Sequence, residues 1–330
     1  MRPQAPDRRG LIAAMAALGL AAPAAARAAG GALVEVGGSA TRLTQIPNPQ
    51  TVPQGPSYLP PAKISTVLDI YKRMTSPVRV SDAGPFAFVA DTGANQSVIS
   101  AEVAQQLGLT IGETQPLNGV AGVQMTPTTR TTIQIGPRPP REATLSVLPE
   151  AAIGGPGLLG LDLLDGGRVT LDFGRQALII DGGPGMSGAG DEVELKAHRR
   201  DGQLTLVDAD LAGIHLTAFI DSGAQDTIGN MALRELAVTR YPLVGWRPIP
   251  IVSVTGQTID AVFADLPGLR FGGLSVPTWP VAFADLHTFK LWNLVDRPAI
   301  LIGVDVLSRF ESVCLDFRRD EVRLRLPQRV

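Results

Sequence analysis

Residues 86–94 read Phe86-Ala87-Phe88-Val89-Ala90-Asp91-Thr92-Gly93-Ala94, and residues 216–224 read Leu216-Thr217-Ala218-Phe219-Ile220-Asp221-Ser222-Gly223-Ala224. In each stretch an apolar run of strand character ends on an Asp, followed by a hydroxyl residue, a Gly and an Ala. A single copy of that pattern reads as an ordinary turn after a strand. Two copies at one place in a repeat need another reason, because an acid that prefers water then closes a buried strand twice.

The repeat extends well beyond these stretches. Ser100 precedes Ala101–Leu107 and Asn230 precedes Met231–Leu236, each a polar N-cap before a short helix candidate. Val120-Ala121-Gly122 and Val254-Thr255-Gly256 follow, flanked by strand-like residues and readable as hairpin tips. Leu158-Leu159-Gly160-Leu161-Asp162 is matched by Leu301-Ile302-Gly303-Val304-Asp305, and both halves close on Leu-Asp-Phe, at 171–173 and 315–317. Matched features in one order define a duplicated lobe. The organisation expected is a signal peptide over 1–28, a Pro-rich linker or arm over 29–65, lobe one over 66–182, a Gly-rich linker over 183–192 and lobe two over 193–330.

Composition agrees with a mostly β chain. Gly 36 and Pro 27 beside 5% aromatics indicate many turns between short strands. A net charge of −2 with 18% charged residues supplies no basic field for nucleic acid. Three His and one Cys leave no cluster for a zinc or iron–sulfur site and no disulfide framework, so neither metal nor cofactor is expected. Cys314 sits in an apolar strand-like run, 312–317, and is expected to be a buried free thiol.

At the N-terminus, Arg8-Arg9 precede an apolar run from Leu11 to Ala22 and then small residues, with Ala26-Arg27-Ala28 the best cleavage site. The run is too short to span a bilayer, so a cleaved export signal is expected, with features of the twin-arginine type. The mature protein is then periplasmic or secreted, without a membrane span.

A carboxylate at the end of each central strand can meet its pseudo-symmetric mate where the lobes face each other. Two carboxyls that close cannot both ionise, so they share one proton. Both halves resemble the retropepsin-like aspartic protease lobe, and the pair in one chain resembles a fused, pepsin-like pseudodimer of the bacterial exported kind. The resemblance covers about residues 66–182 and 193–328. It implies two acid-protease lobes related by a pseudo-two-fold axis with only short helices. It also implies a polypeptide substrate, and a monomer in which lobe pairs with lobe.

Carried over residue by residue, the resemblance implies that Asp91 and Asp221 form a catalytic dyad in which one carboxylate activates a water and the other acid protonates the scissile carbonyl. Thr92 and Ser222 would bond across to the opposite lobe, and Gly93 and Gly223 would permit close backbone approach. Ala94, Asn95 and Gln96 in one lobe, with Ala224, Gln225 and Asp226 in the other, occupy positions that help bind substrate. Hairpins centred on Gly122 and Gly256 would be flaps. Gly160 and Gly303 lie where a side chain would collide with the loop carrying the Asp, and Asp162 and Asp305 are expected to cap the short helices that follow.

The chain also departs from its relatives. Leu161 and Val304 stand where retroviral enzymes carry a basic residue, and Ala94 and Ala224 stand where pepsins place a hydroxyl that helps keep the dyad ionised. Activity is therefore expected to extend toward neutral pH. From Asp to the later Gly the interval is 82 residues in the second half and 69 in the first. The surplus falls at 282–296, expected to form a short helix at the cleft rim. There local packing is favoured over substrate contact for Trp292, and His287 stands beside it. His198 and His215 read as ordinary surface or strand residues.

Gly155-Pro156-Gly157-Leu158-Leu159-Gly160 satisfies a dinucleotide-binding pattern, but only a helical stub follows it and the repeat accounts for Gly160 better. The competing class is an acid-protease fold without activity, serving as an exported binding or scaffold module.

Overall fold

The computed structural model describes residues 62–327, apart from 70–71, 165–166, 182–191, 201, 212, 243, 267 and 277. The expected export signal, nearly all of the Pro-rich arm and nearly all of the Gly-rich linker lie outside the described residues.

The chain is mostly β, with helices of four to ten residues among the described residues, as expected of a two-lobed acid protease. One half forms an 8-stranded sheet built from residues between Val67 and Leu159. The strand Ala83–Ala90, which leads into Asp91, lies parallel to Gly157–Leu159. Gly157–Leu159 in turn runs antiparallel to Val98–Ser100, which is parallel to Arg141–Leu148. The strand Met74–Val80 also pairs with Gly122–Ile135, which curls the sheet on itself.

The other half repeats this order. Ile214–Ile220, leading into Asp221, is parallel to Ala299–Ile302. That strand is antiparallel to Ile228–Gly229, which is parallel to Trp279–Phe283. In both lobes the last residues before the Asp are buried without alternation, Phe88-Val89-Ala90 and Ala218-Phe219-Ile220. A continuous apolar run is what a strand covered on both faces requires. The same order of strand pairings thus surrounds both Asp-bearing stretches.

The lobes are joined by their closing strands. Arg168–Asp172 and Ser312–Asp316, each ending in the Leu-Asp of the repeat, pair antiparallel with Thr170 opposite Cys314. The sheet continues outward through Ala177–Asp181 on one side and Glu321–Arg325 on the other. Ala62–Ser65, expected in the arm, is instead a strand that pairs with Ala177–Asp181. Its alternation explains why: Ala62 and Ile64 are buried while Lys63 and Ser65 face out. Cys314 is a buried free thiol in this joining sheet.

The capped helices form where the cap residues predict. Ser100 Oγ accepts from Val103 N at 3.1 Å and Asn230 Oδ1 accepts from Leu233 N at 2.9 Å. The dinucleotide pattern resolves into the strand Gly157–Leu159 and a helix of only Leu161–Leu164, which cannot form a phosphate-binding βα unit. No helix among the described residues is long and apolar enough to cross a membrane.

Candidate active site

Each Asp leaves its strand through a hydrogen bond to the neighbouring parallel strand: Asp91 N donates to Leu159 O at 2.9 Å, and Asp221 N to Ile302 O at 3.0 Å. The chain then turns back so that the carboxylate collects its own loop amides. Asp91 Oδ1 accepts from Gly93 N at 2.9 Å and Ala94 N at 3.0 Å, and Asp221 Oδ1 accepts from Gly223 N at 2.9 Å and Ala224 N at 3.1 Å.

The two loops are locked to each other by their hydroxyls. Thr92 N donates to Ser222 Oγ at 3.0 Å and Ser222 N donates to Thr92 Oγ1 at 3.1 Å. The hydroxyls pass the bond on, Ser222 Oγ to Ala90 O at 2.7 Å and Thr92 Oγ1 to Ile220 O at 3.3 Å. Thr92 and Ser222 are essentially without solvent exposure. A hydroxyl that donates and accepts at once is the one small group able to make this reciprocal link.

The glycines bring the carboxyls together. A β-carbon on Gly93 would collide with the carboxyl of Asp221, and one on Gly223 with the carboxyl of Asp91. The two carboxyls are hydrogen-bonded to each other. Burial raises the pKa of both. Asp221 is lifted well above the ordinary carboxylate range, first by burial and then by the charge of Asp91. The loop amides and the bond from Asp221 offset part of the rise at Asp91. Both directions favour keeping a proton on the pair, and the pseudo-symmetry makes that a property of the two carboxyls together.

Behind each loop runs the apolar-apolar-Gly segment. A β-carbon on Gly160 would meet Ala94 O at 2.9 Å, and one on Gly303 would meet Asp226 C and O at 2.6 Å. Leu161 N and Val304 N donate to Ala94 O and Ala224 O, so the segment also supports the loop through hydrogen bonds.

Asp162 and Asp305 do accept from first-turn amides of the short helices, Leu163 N and Val306 N, each at 2.9 Å, and they have a second role besides. Both stand inside the first turn, and both hold a buried hydroxyl at the far end of the Asp-bearing loop: Ser97 Oγ donates to Asp162 Oδ1 at 2.6 Å, and Thr227 Oγ1 to Asp305 Oδ1 at 2.7 Å. The hydroxyls in turn accept from Gly160 N and Gly303 N. Ser97 and Thr227 were not singled out in the sequence, although each lies six residues after its Asp and the shared hydroxyl was the available signal.

Of the expected substrate-contact positions, Asn95 and Gln96 are half-buried, Gln225 is exposed and Asp226 is half-buried. The hairpins carrying Gly122 and Gly256 approach each other across the lobes. A β-carbon on Gly119 would meet Ser253 Oγ at 2.7 Å, and one on Gly122 would meet Gln257 Oε1 at 3.2 Å. The 282–296 segment contains the helix His287–Leu291, whose first amide, His287 N, donates to Val120 O at 2.7 Å. Val120 packs on the apolar cluster that includes Phe289, Trp292 and Ala224. Trp292 is buried and stacks on Phe219 with centroids 3.9 Å apart, so it is a packing residue. His198 and His215 are exposed on strands.

Asp226 has its pKa raised to about 6, first by burial and then by Asp305. The neutral form is favoured in the fold, so this carboxyl gives its full stability below the ordinary value of 3.8 and that stability is lost as pH rises through about 6. Asp226→Asn is therefore expected to stabilise the protein by about 1–3 kcal/mol at pH 7.5 and by almost nothing at pH 4. Thermal melts at the two pH values check this, and an equal shift at both would contradict it.

Residues 76–166, which contain the first of the two loops, match the family described as gag-polyprotein putative aspartyl protease. That stretch is similar to retropepsin-like aspartyl protease domains. Among curated proteins no match was found.

Proposed function

We propose that the protein is an aspartic endopeptidase that hydrolyses peptide bonds with one water held between Asp91 and Asp221. The observation that carries this reading is the meeting of the two carboxyls. Each has its ionisation opposed by burial, each lies against the glycine of the opposite loop, and each perturbs the ionisation of the other. Asp91, the more acidic partner, takes a proton from the water as its oxygen attacks the scissile carbonyl carbon. Asp221 gives its proton to the carbonyl oxygen, forming a tetrahedral diol. Asp91 then gives its proton to the amide nitrogen, and as the carbon–nitrogen bond breaks a diol hydroxyl returns a proton to Asp221, which restores the dyad.

Both Asp come from one chain, so the enzyme acts as a monomer. The meeting hairpins supply the cover that excludes water from the bound peptide. The N-terminal signal supports action outside the cytoplasm, in the periplasm or as a secreted protein.

Cleavage of a peptide library by the mature chain, blocked by pepstatin, tests the reading. The pH dependence is part of the test. The active form carries one proton on the pair, and burial holds that proton to higher pH than an ordinary carboxyl would, with no hydroxyl at Ala94 or Ala224 to favour ionisation. The rate is expected to peak between weakly acidic and neutral pH. A profile peaking near pH 2 and dead by pH 5 would contradict it, and a folded protein that binds pepstatin without cleaving any peptide would favour a binding module.

A further inference from the structure

Eighteen residues before each of the two Asp stands a polar residue at the entry of a strand: Arg73 ahead of Asp91 and Gln203 ahead of Asp221. The pseudo-symmetry therefore places them at matching points of the two lobes, but their chemistry differs. Arg73 is bound within its own lobe, with Nε to Asp69 Oδ2 at 2.8 Å and its other nitrogens directed at Ile153 O and Gly154 O. Gln203 crosses to the other lobe. Its Nε2 donates to Gly93 O at 3.1 Å and to Asn95 Oδ1 at 3.0 Å.

Gln203 is 4% exposed, so its amide is removed from water and both hydrogens on its nitrogen are used on the opposite catalytic loop. A buried amide that lost these acceptors would be left unsatisfied, which makes the contact specific. Its effect on Asn95 is directional: with Oδ1 turned to Gln203, the Asn95 amide has one fixed orientation. Gln225, the matching residue of the second loop, is exposed, while Asn95 is half-buried. The loop held from across the interface is thus the less exposed of the two at this position.

We propose that Gln203 is a positioning residue for substrate binding, a second-lobe side chain that holds the first lobe's catalytic loop at Gly93 and sets the orientation of Asn95. The inference rests on the peptidase reading above in that Asn95 then contacts the peptide backbone. It makes the substrate-binding half-sites of the two lobes unequal, one clamped across the interface through Asn95 and one carrying the exposed Gln225.

In the full mature chain, Gln203→Ala is expected to raise KM for an extended peptide about 5- to 30-fold, the loss of roughly one to two hydrogen bonds, and to change kcat less than about threefold. Asn95→Ala gives a similar rise, and the double variant costs no more than the larger single one, because Gln203 acts through Asn95. Gln203→Glu keeps the shape but, when ionised, presents only acceptors to two acceptors. Its KM defect is expected to be largest near pH 7 and to shrink toward pH 4.5, where a protonated Glu regains one donor. A role confined to stability would not produce that pH dependence.

Hydrogen exchange separates this inference from the peptidase reading. In Gln203→Ala the amides of residues 92–96 exchange faster while those of 222–226 do not, whether or not peptide is cleaved. Unchanged exchange in the first loop, or additive effects of the Gln203 and Asn95 variants on KM, would overturn the proposal. Faster exchange at 92–96 in Gln203→Ala with no cleavage by the wild-type chain would leave the hold of Gln203 on the first loop standing and remove the peptidase reading, and with it the substrate role of Asn95, instead.

Discussion

Asp91→Asn and Asp221→Asn are each expected to lower kcat on an extended peptide by roughly 10²- to 10⁴-fold, with the fold intact. An Asn keeps the shape of the side chain, and its oxygen can still accept from the two loop amides that now bond Oδ1. It cannot carry the proton that the proposed mechanism places on the pair. Removing either acid therefore removes the base or the acid of the water attack and leaves the cross-lobe hydroxyl link in place. Stability moves the other way. Both carboxyls have raised folded pKa values, chiefly from burial, so each gives its stability in the protonated form and loses it as pH rises. The Asn variants are accordingly expected to melt no lower than the wild type at pH 7.5 while being nearly inactive. Peptide turnover and thermal melts on the same samples check both halves. Full turnover by either variant would remove the dyad from the mechanism.

Much of this site could be read from the chain because the pattern occurs twice. One Asp-Thr-Gly carries little weight, but the paired Asp91 and Asp221 sit at equivalent strand ends, and the paired Gly160 and Gly303 sit under the loops, as the repeat requires. The cap residues Ser100 and Asn230 were equally legible, since N-cap chemistry is local. What the chain did not disclose is long-range. The hydroxyls of Ser97 and Thr227 look like ordinary strand-edge residues until Asp162 and Asp305 fold beneath them. Those two acids looked like caps alone because an acid near a helix start nearly always does. The strand Ala62–Ser65 was hidden by the prolines around it: four residues are too few for periodicity to stand out. The contact of Val120 with the 287–291 helix joins a hairpin of one lobe to a segment present only in the other, and no local rule links them. Gln203 was invisible for the same reason, since its partners lie in the other half of the chain.

Gly223→Ala is expected to cost about 10²-fold or more in activity together with about 1–3 kcal/mol of stability, although it adds a single methyl group. Its β-carbon would lie 2.5 Å from Asp91 Oδ1, inside any allowed contact. Many such clashes are relieved by a flexible side chain swinging away. Asp91 is not free to swing, because Oδ1 is held by Gly93 N and Ala94 N and its backbone is tied to Leu159 O. The remaining way out is to move the loops apart, which stretches the reciprocal Thr92–Ser222 bonds between buried groups. Either route separates the two carboxyls of the proposed dyad, so stability and rate fall together. Gly93→Ala places the same strain on Asp221 from the other side and should behave alike. Gly155→Ala is the control, since a β-carbon there meets nothing within 4 Å. If Gly223→Ala matched that control in melting temperature and in kcat, the two loops would not be packed against each other in solution, and a water held between Asp91 and Asp221 could not be the nucleophile.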